Sequence, residues 1–123
     1  MYWIYIETRF QASHQLTFSN GSKEPLHTHP WRVVAGVCAE TLNREGLVMD
    51  FLELGKVLES AIKPLAGKQL ETLACFSGRN ASAEAVARYV FDAVAPEIAP
   101  PVRLDSIEVT EAEGCRARYQ PGA

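Results

Sequence analysis

A chain of 123 residues and 13.6 kDa is the size of one ordinary domain, and it can bury about two-thirds of its unfolded surface without disulfide staples. Its 47% hydrophobic and 22% charged content excludes a disordered chain, and 12 basic against 15 acidic side chains leave a net charge of −3, which argues against nucleic acid or an anionic membrane as partner. No apolar stretch is long enough to span a bilayer, the start Met1-Tyr2-Trp3-Ile4 lacks the basic residues of a signal peptide, and Cys38, Cys75 and Cys115 form no CxxC, so reduced thiols and a cytoplasmic location are expected.

Residues 2–16 alternate in polarity, with Tyr2, Ile4, Ile6, Phe10 and Ala12 on one face and His14 following in phase, which predicts a long strand. Residues 18–25, containing Asn20-Gly21-Ser22, read as a loop. A second strand over 26–40 places His27, His29, Trp31, Val33, Ala35 and Val37 on one face. Asn43 to Gly46 is a turn, and Leu47 to Met49 leads into a helix. Asp50 is its predicted cap, Glu53 sits three residues on as in a capping box, and Leu54, Val57, Leu58, Ala61, Ile62 and Leu65 form an apolar stripe. Pro64 should fray the helix end. Residues 66–81 read as irregular, and a second helix over 82–94 turns Val86, Val90 and Val94 inward. After Pro100-Pro101, strands are predicted over 102–111 and 115–119, joined at Gly114. Two strands, two helices and two strands predict an α+β domain over residues 1–123, with both helices on one face of an antiparallel sheet.

The chain has three histidines. His27 and His29, two apart on a strand, leave the same face, and an antiparallel first strand brings His14 across to them. Three neutral imidazoles around one point are the ligand set of an open, catalytic type of zinc site, with a fourth position for water or substrate. Periodicity alone does not distinguish this from three unrelated histidines.

Three segments carry a family resemblance: Phe10-Gln11-Ala12-Ser13-His14-Gln15-Leu16, Leu26-His27-Thr28-His29 and Gly46-Leu47-Val48-Met49-Asp50-Phe51. Together they resemble the F-x-A-A-H-x-L strand, the H-G-H element and the G-x-(V/I)-x-D-F helix start of the 6-pyruvoyl-tetrahydropterin and 6-carboxy-tetrahydropterin synthases. Asn80-Ala81-Ser82-Ala83-Glu84 resembles that family's N-P-T-(A/S)-E segment, and Val109-Thr110-Glu111 its strand with a pterin-anchoring glutamate. The resemblance implies the tunnelling fold, in which the sheets of several subunits join into a barrel, commonly a hexamer built from two trimers. It also implies zinc held by His14, His27 and His29, and a small-molecule pterin substrate whose amino-pyrimidine edge is accepted by Glu111 through two parallel bonds. Ser82 and Glu84 fit substrate contacts, although helix capping and compensation of the helix dipole explain them equally well. Without the resemblance, Glu111 reads as a strand-end surface charge.

The departures from the family pattern shape the functional expectation. The catalytic cysteine position holds Lys23, and no cysteine of this chain replaces it. One branch of the family carries a glutamate three positions before the first histidine of H-G-H, where Glu24 stands, and releases the pterin side chain to leave 6-hydroxymethyl-dihydropterin. Glu24 is therefore the candidate general base, against its reading as a solvated loop charge. The family's Asp-His pair aligns with Ala66 and Gly67, so both proton-relay groups are absent, with Lys68 or Glu71 as substitutes on sequence position alone. Two functions follow: a zinc-dependent lyase acting on the side chain of dihydroneopterin triphosphate or a related pterin, or a zinc- and pterin-binding homologue with lost catalysis or a changed substrate.

Overall fold

A computed structural model describes residues 1–122. Its elements run in the order β1 (Tyr2–His14), β2 (His27–Ala39), α1 (Phe51–Ile62), α2 (Ala83–Val94), β3 (Arg103–Ala112) and β4 (Cys115–Tyr119). The four strands form one antiparallel sheet in the order β1-β2-β3-β4, with both helices against one face. This is the predicted α+β arrangement. No helix is long and apolar enough to cross a membrane.

Alternation sets the inner face. Phe10, Ala12 and His14 on β1, and Trp31, Val33, Ala35 and Val37 on β2, are buried beneath the helices. From the other side Leu54, Leu58, Ala61 and Ile62 of α1 and Val86, Val90 and Val94 of α2 fill the same core. Tyr2, expected on the inner face, is half exposed, although its cross-strand partner Ala39 is buried. On the opposite face the Tyr5 ring lies across its cross-strand partner Gly36, where a Cβ would come within 2.9 Å of Tyr5 Cε1. A ladder irregularity between Gly36 and Val37 follows.

Boundaries shift by a residue or two where side chains and turns take over the backbone bonds. β1 stops at His14 instead of residue 16, because the Leu16 carbonyl accepts from Glu24 N at 3.1 Å across the following loop. Asp50 caps α1 by accepting from Leu52 N at 2.8 Å. Among the described residues Glu53 makes no reciprocal capping-box bond. α1 ends at Ile62, short of Leu65, with Pro64 just beyond it. The span 66–81 contains two short 3-10 turns, Leu70–Thr72 and Ala74–Phe76, inside otherwise irregular chain.

Candidate metal and ligand site

The pairing of β1 with β2 is in register from Tyr2↔Ala39 to His14↔His27, so His14 faces His27 directly and His29 lies opposite Ala12. The imidazole centroids are 4.5 Å apart for His14 and His27, 4.9 Å for His27 and His29, and 5.6 Å for His14 and His29. Glu111, from β3, joins them: one donor atom from each of His14, His27, His29 and Glu111 lies within 4.8 Å of every other. The fully buried Trp31 forms the wall behind the cluster, edge-on to His14 at 4.8 Å and to His29 at 5.1 Å. Its indole N–H donates to the Ala12 carbonyl at 3.2 Å, which holds the ring against β1.

Backbone carbonyls orient two of the rings. His14 Nδ1 bonds the Ala81 carbonyl at 2.8 Å, and His27 Nδ1 bonds the Pro25 carbonyl at 3.1 Å. A carbonyl only accepts, so each Nδ1 carries the proton and each Nε2 of the neutral ring keeps its lone pair. The Nε2 atoms of buried His14 and of His29 have no hydrogen-bond partner. Burial pushes the His29 imidazole below its ordinary value of 6.5, outweighing the opposite pull of Glu111, and so favours the neutral ring. Converging lone pairs without protein donors, on rings anchored through the other nitrogen, are the arrangement that metal-ligating histidines adopt. Zinc fits this donor set.

Glu24 reaches the neighbourhood from the loop before β2. Its Oε1 accepts from Leu16 N at 3.1 Å and stands 3.9 Å from His27 Nδ1, on the side of the ring that faces away from the Nε2 lone pair. Its Oε2 makes no bond among the described residues. Ser82 and Glu84 do not join the cluster: the Ser82 hydroxyl accepts from Ala85 N at 3.1 Å as the cap of α2, and Glu84 lies exposed in the first turn. Lys23 is exposed.

The segment in place of the proton-relay pair is laced to β1. Gly67 N donates to the Gln11 carbonyl at 2.7 Å, Ser13 N donates to the Lys68 carbonyl at 3.0 Å, and Gly67 adopts φ +75°, a conformation that favours glycine. Glu71 spends both oxygens on structure, accepting from Gln15 N at 3.2 Å and from Gln69 Nε2 at 2.6 Å.

One contributor escapes sequence reading. Asn80, read only as turn chemistry, clamps the backbone of Thr17: its Oδ1 accepts from Thr17 N at 2.9 Å and its Nδ2 donates to Thr17 O at 3.0 Å. That clamp sets Ala81 beneath His14. Glu111, expected from the sequence as a site residue, stands in the cluster in contact with His14 Nε2.

A cavity of about 570 Å³ opens beside the cluster, lined by His29, Pro30, Trp31, Thr110 and Glu111, with Arg9 and Arg32 at its rim. A larger groove of about 960 Å³ between β1 and α1, lined by Phe10, Phe51 and Lys56 among others, contains none of the histidines. The first has the size of a small-ligand site with polar groups converging on it.

Comparison with known proteins agrees with this architecture. The family model described as 6-pyruvoyl tetrahydropterin synthase matches residues 3–122. A 6-carboxy-5,6,7,8-tetrahydropterin synthase of Synechocystis is 31% identical over 126 aligned positions, covering 97% of this chain and 93% of that protein. Among solved structures, 6-pyruvoyl tetrahydropterin synthase of Caenorhabditis elegans superposes with a TM-score of 0.83 at 19% identity, over 99% of this chain and 98% of that one. A Plasmodium vivax 6-pyruvoyltetrahydropterin synthase with a catalytic glutamate replaced by alanine gives a TM-score of 0.78 at 16% identity, over 99% and 98% of the chains.

Proposed function

The chain belongs to the 6-pyruvoyl tetrahydropterin synthase family, and from that premise we propose that it is a zinc-dependent lyase acting on the side chain of dihydroneopterin triphosphate or a related pterin. The observation that carries the reading is the convergence of three imidazoles, with no hydrogen-bond donor at the Nε2 atoms of His14 and His29 and the Nδ1 atoms of His14 and His27 committed to carbonyls. Zinc, when bound there, supplies a positive charge that acidifies a hydroxyl on the substrate's side chain. Glu24 would take that proton on its uncommitted oxygen as the bond between the first and second side-chain carbons breaks in a retro-aldol sense: the deprotonated carbinol leaves as an aldehyde, the electron pair stays on the first carbon in conjugation with the pterin, and a proton returned to that carbon gives 6-hydroxymethyl-dihydropterin. The replaced catalytic glutamate of the Plasmodium vivax relative supports giving this role to a glutamate. Glu111 accepts the amino-pyrimidine edge, and Ser82 and Glu84, which stand at the start of α2 outside the histidine cluster, are carried in this reading as further substrate contacts. The whole chain acts as one domain.

Self-association to a trimer or hexamer belongs to the same proposal. Apart from the bonds of residues 67–69 to Gln11 and Ser13, the outer edges of β1 and β4 carry no partner strand among the described residues, and Trp3 and Tyr5 stand half exposed on β1. Open edges of that length are ordinarily covered.

A second reading, zinc and pterin binding without the ancestral catalysis, is favoured by one observation. Ala66 and Gly67 offer no proton-transferring group, and the bonds of Gly67 and Lys68 to β1 hold their segment in place. Zinc-loaded protein incubated with dihydroneopterin triphosphate, with the pterins separated chromatographically, tests the two. The lyase reading expects 6-hydroxymethyl-dihydropterin, and a Glu24→Gln rate lower by about 10² to 10⁴ with zinc content unchanged. Bound pterin without turnover in the wild type would favour the second reading.

A further inference from the structure

One contact in the cluster is not explained by an anchoring role for Glu111. His14 donates from Nδ1 to Ala81, so the neutral ring presents a lone pair at Nε2, and the group pressed against that atom is Glu111 Oε1. A carboxylate oxygen is also an acceptor. Two acceptors in close contact repel unless a positive charge lies between them. A proton on His14 would answer for this pair alone and leave the buried His29 Nε2 still without a partner. A cation central to all four donors satisfies both nitrogens and the carboxylate together.

The backbone at Glu111 leaves the strand ladders on both sides. β3 and β4 pair through Thr110↔Arg116 and then Ala112↔Cys115, so Glu111 is the extra residue of a bulge, unpaired on that side. On its other side the pairing with β2 ends at Arg32↔Thr110. The residue is therefore held by neither neighbouring strand, and it lines the cavity of about 570 Å³ that His29 also lines. A bulge at this place can re-aim the side chain between the imidazoles and the cavity.

Resting on the zinc reading above, we propose that Glu111 is a fourth, displaceable ligand of the metal held by His14, His27 and His29. Three imidazoles and one carboxylate make a closed four-donor set, the number zinc takes in tetrahedral sites. A closed set excludes substrate, so one donor has to leave for chemistry to occur. Among the four, only Glu111 both lies at a bulge and fits the amino-pyrimidine edge of a pterin. Substrate would thus open its own coordination position by capturing the carboxylate that blocks it, and the free protein would keep its metal shielded.

Zinc affinity, measured by competition with a chromophoric chelator, tests this without any turnover. Glu111→Gln keeps the shape of the side chain and removes its charge. It should weaken zinc binding by roughly 10- to 100-fold or more, the scale set by loss of supporting partners at zinc sites. Equal zinc affinity in wild type and Glu111→Gln, with both folded by circular dichroism, would overturn the proposal while leaving the three-histidine site standing. Retained zinc affinity in His27→Ala would instead overturn the underlying metal reading, so the two failures are distinguishable. The second arm uses 2-amino-4-hydroxypteridine, a pterin with no side chain to reach the metal. If both ligands draw on one carboxylate, a saturating concentration should weaken zinc binding to the wild type, and by reciprocity zinc should weaken binding of the pterin. Independent binding of the two would show that Glu111 does not exchange between them.

Discussion

Replacing Trp31 isolates the packing that supports the site from the chemistry performed in it. The indole is fully buried, stacks near Phe10 at 6.0 Å between centroids, and donates to Ala12 O at 3.2 Å. Trp31→Phe keeps an aromatic ring but deletes the donor, losing one buried hydrogen bond worth about 0.5–1.5 kcal/mol while the Ala12 carbonyl stays in the ladder opposite His29. The smaller ring also gives up apolar burial worth roughly 1 kcal/mol at about 25 cal/mol per Å². The sum is a loss of about 1.5–2.5 kcal/mol, a sizeable share of the stability of a typical domain. Urea unfolding followed by far-ultraviolet circular dichroism, with chelator present so that metal does not contribute, should show a lower midpoint at unchanged slope. Trp3→Phe is the control: that side chain is 48% exposed, and its replacement should stay within about 0.5 kcal/mol of wild type. A Trp31→Phe loss no greater than that of Trp3→Phe would refute the assignment of Trp31 as the buried, hydrogen-bonded wall of the site.

Gly36→Ala places a Cβ 2.9 Å from Tyr5 Cε1 and 3.2 Å from Ser106 Oγ, and should cost about 1 kcal/mol as the exposed Tyr5 ring swings aside. In a Tyr5→Ala background most of that loss should vanish, and a purely additive double mutant would show that the two positions are not coupled. The thiols should react with an aromatic disulfide in the order exposed Cys115, half-buried Cys75, and last Cys38, whose thiol burial pushes above its ordinary value of 9.0. Because the folded state holds Cys38 protonated where the unfolded chain would ionise it, stability should fall as pH rises through 9.0, and Cys38→Ala should flatten that decline in denaturation midpoints.

The fold was legible because its signals are local. Period-two alternation runs through both long strands, Asp50 and Ser82 stand where helices need a cap, and Pro64 marks where the first one cannot continue. The three histidines were legible for the same reason, since two share a strand face and the third follows in phase on its neighbour. What orients them was not. The carbonyl that fixes His14 belongs to Ala81, 67 positions away, and it arrives there through an Asn80 clamp that no periodicity announces. Glu111 was found by resemblance to a motif, whereas its contact with His14 depends on a bulge visible only once the strands are paired. Ser82 illustrates the opposite case: its hydroxyl makes the capping bond that its position had suggested.

The distribution of the cluster along the chain has a consequence for synthesis. All three imidazoles fall within the first 29 residues, on one hairpin, while Glu111 lies on the penultimate strand. Translation delivers that hairpin before the helices and β3 that cover it, at a stage when two paired strands alone are only marginally stable in water. A slip of one residue in their pairing would turn His27 and His29 to the face opposite His14. Zinc captured by the nascent chain would therefore reward the native register and no neighbouring one, proofreading the first long-range pairing the chain makes. The carboxylate that completes the set is among the last groups to emerge.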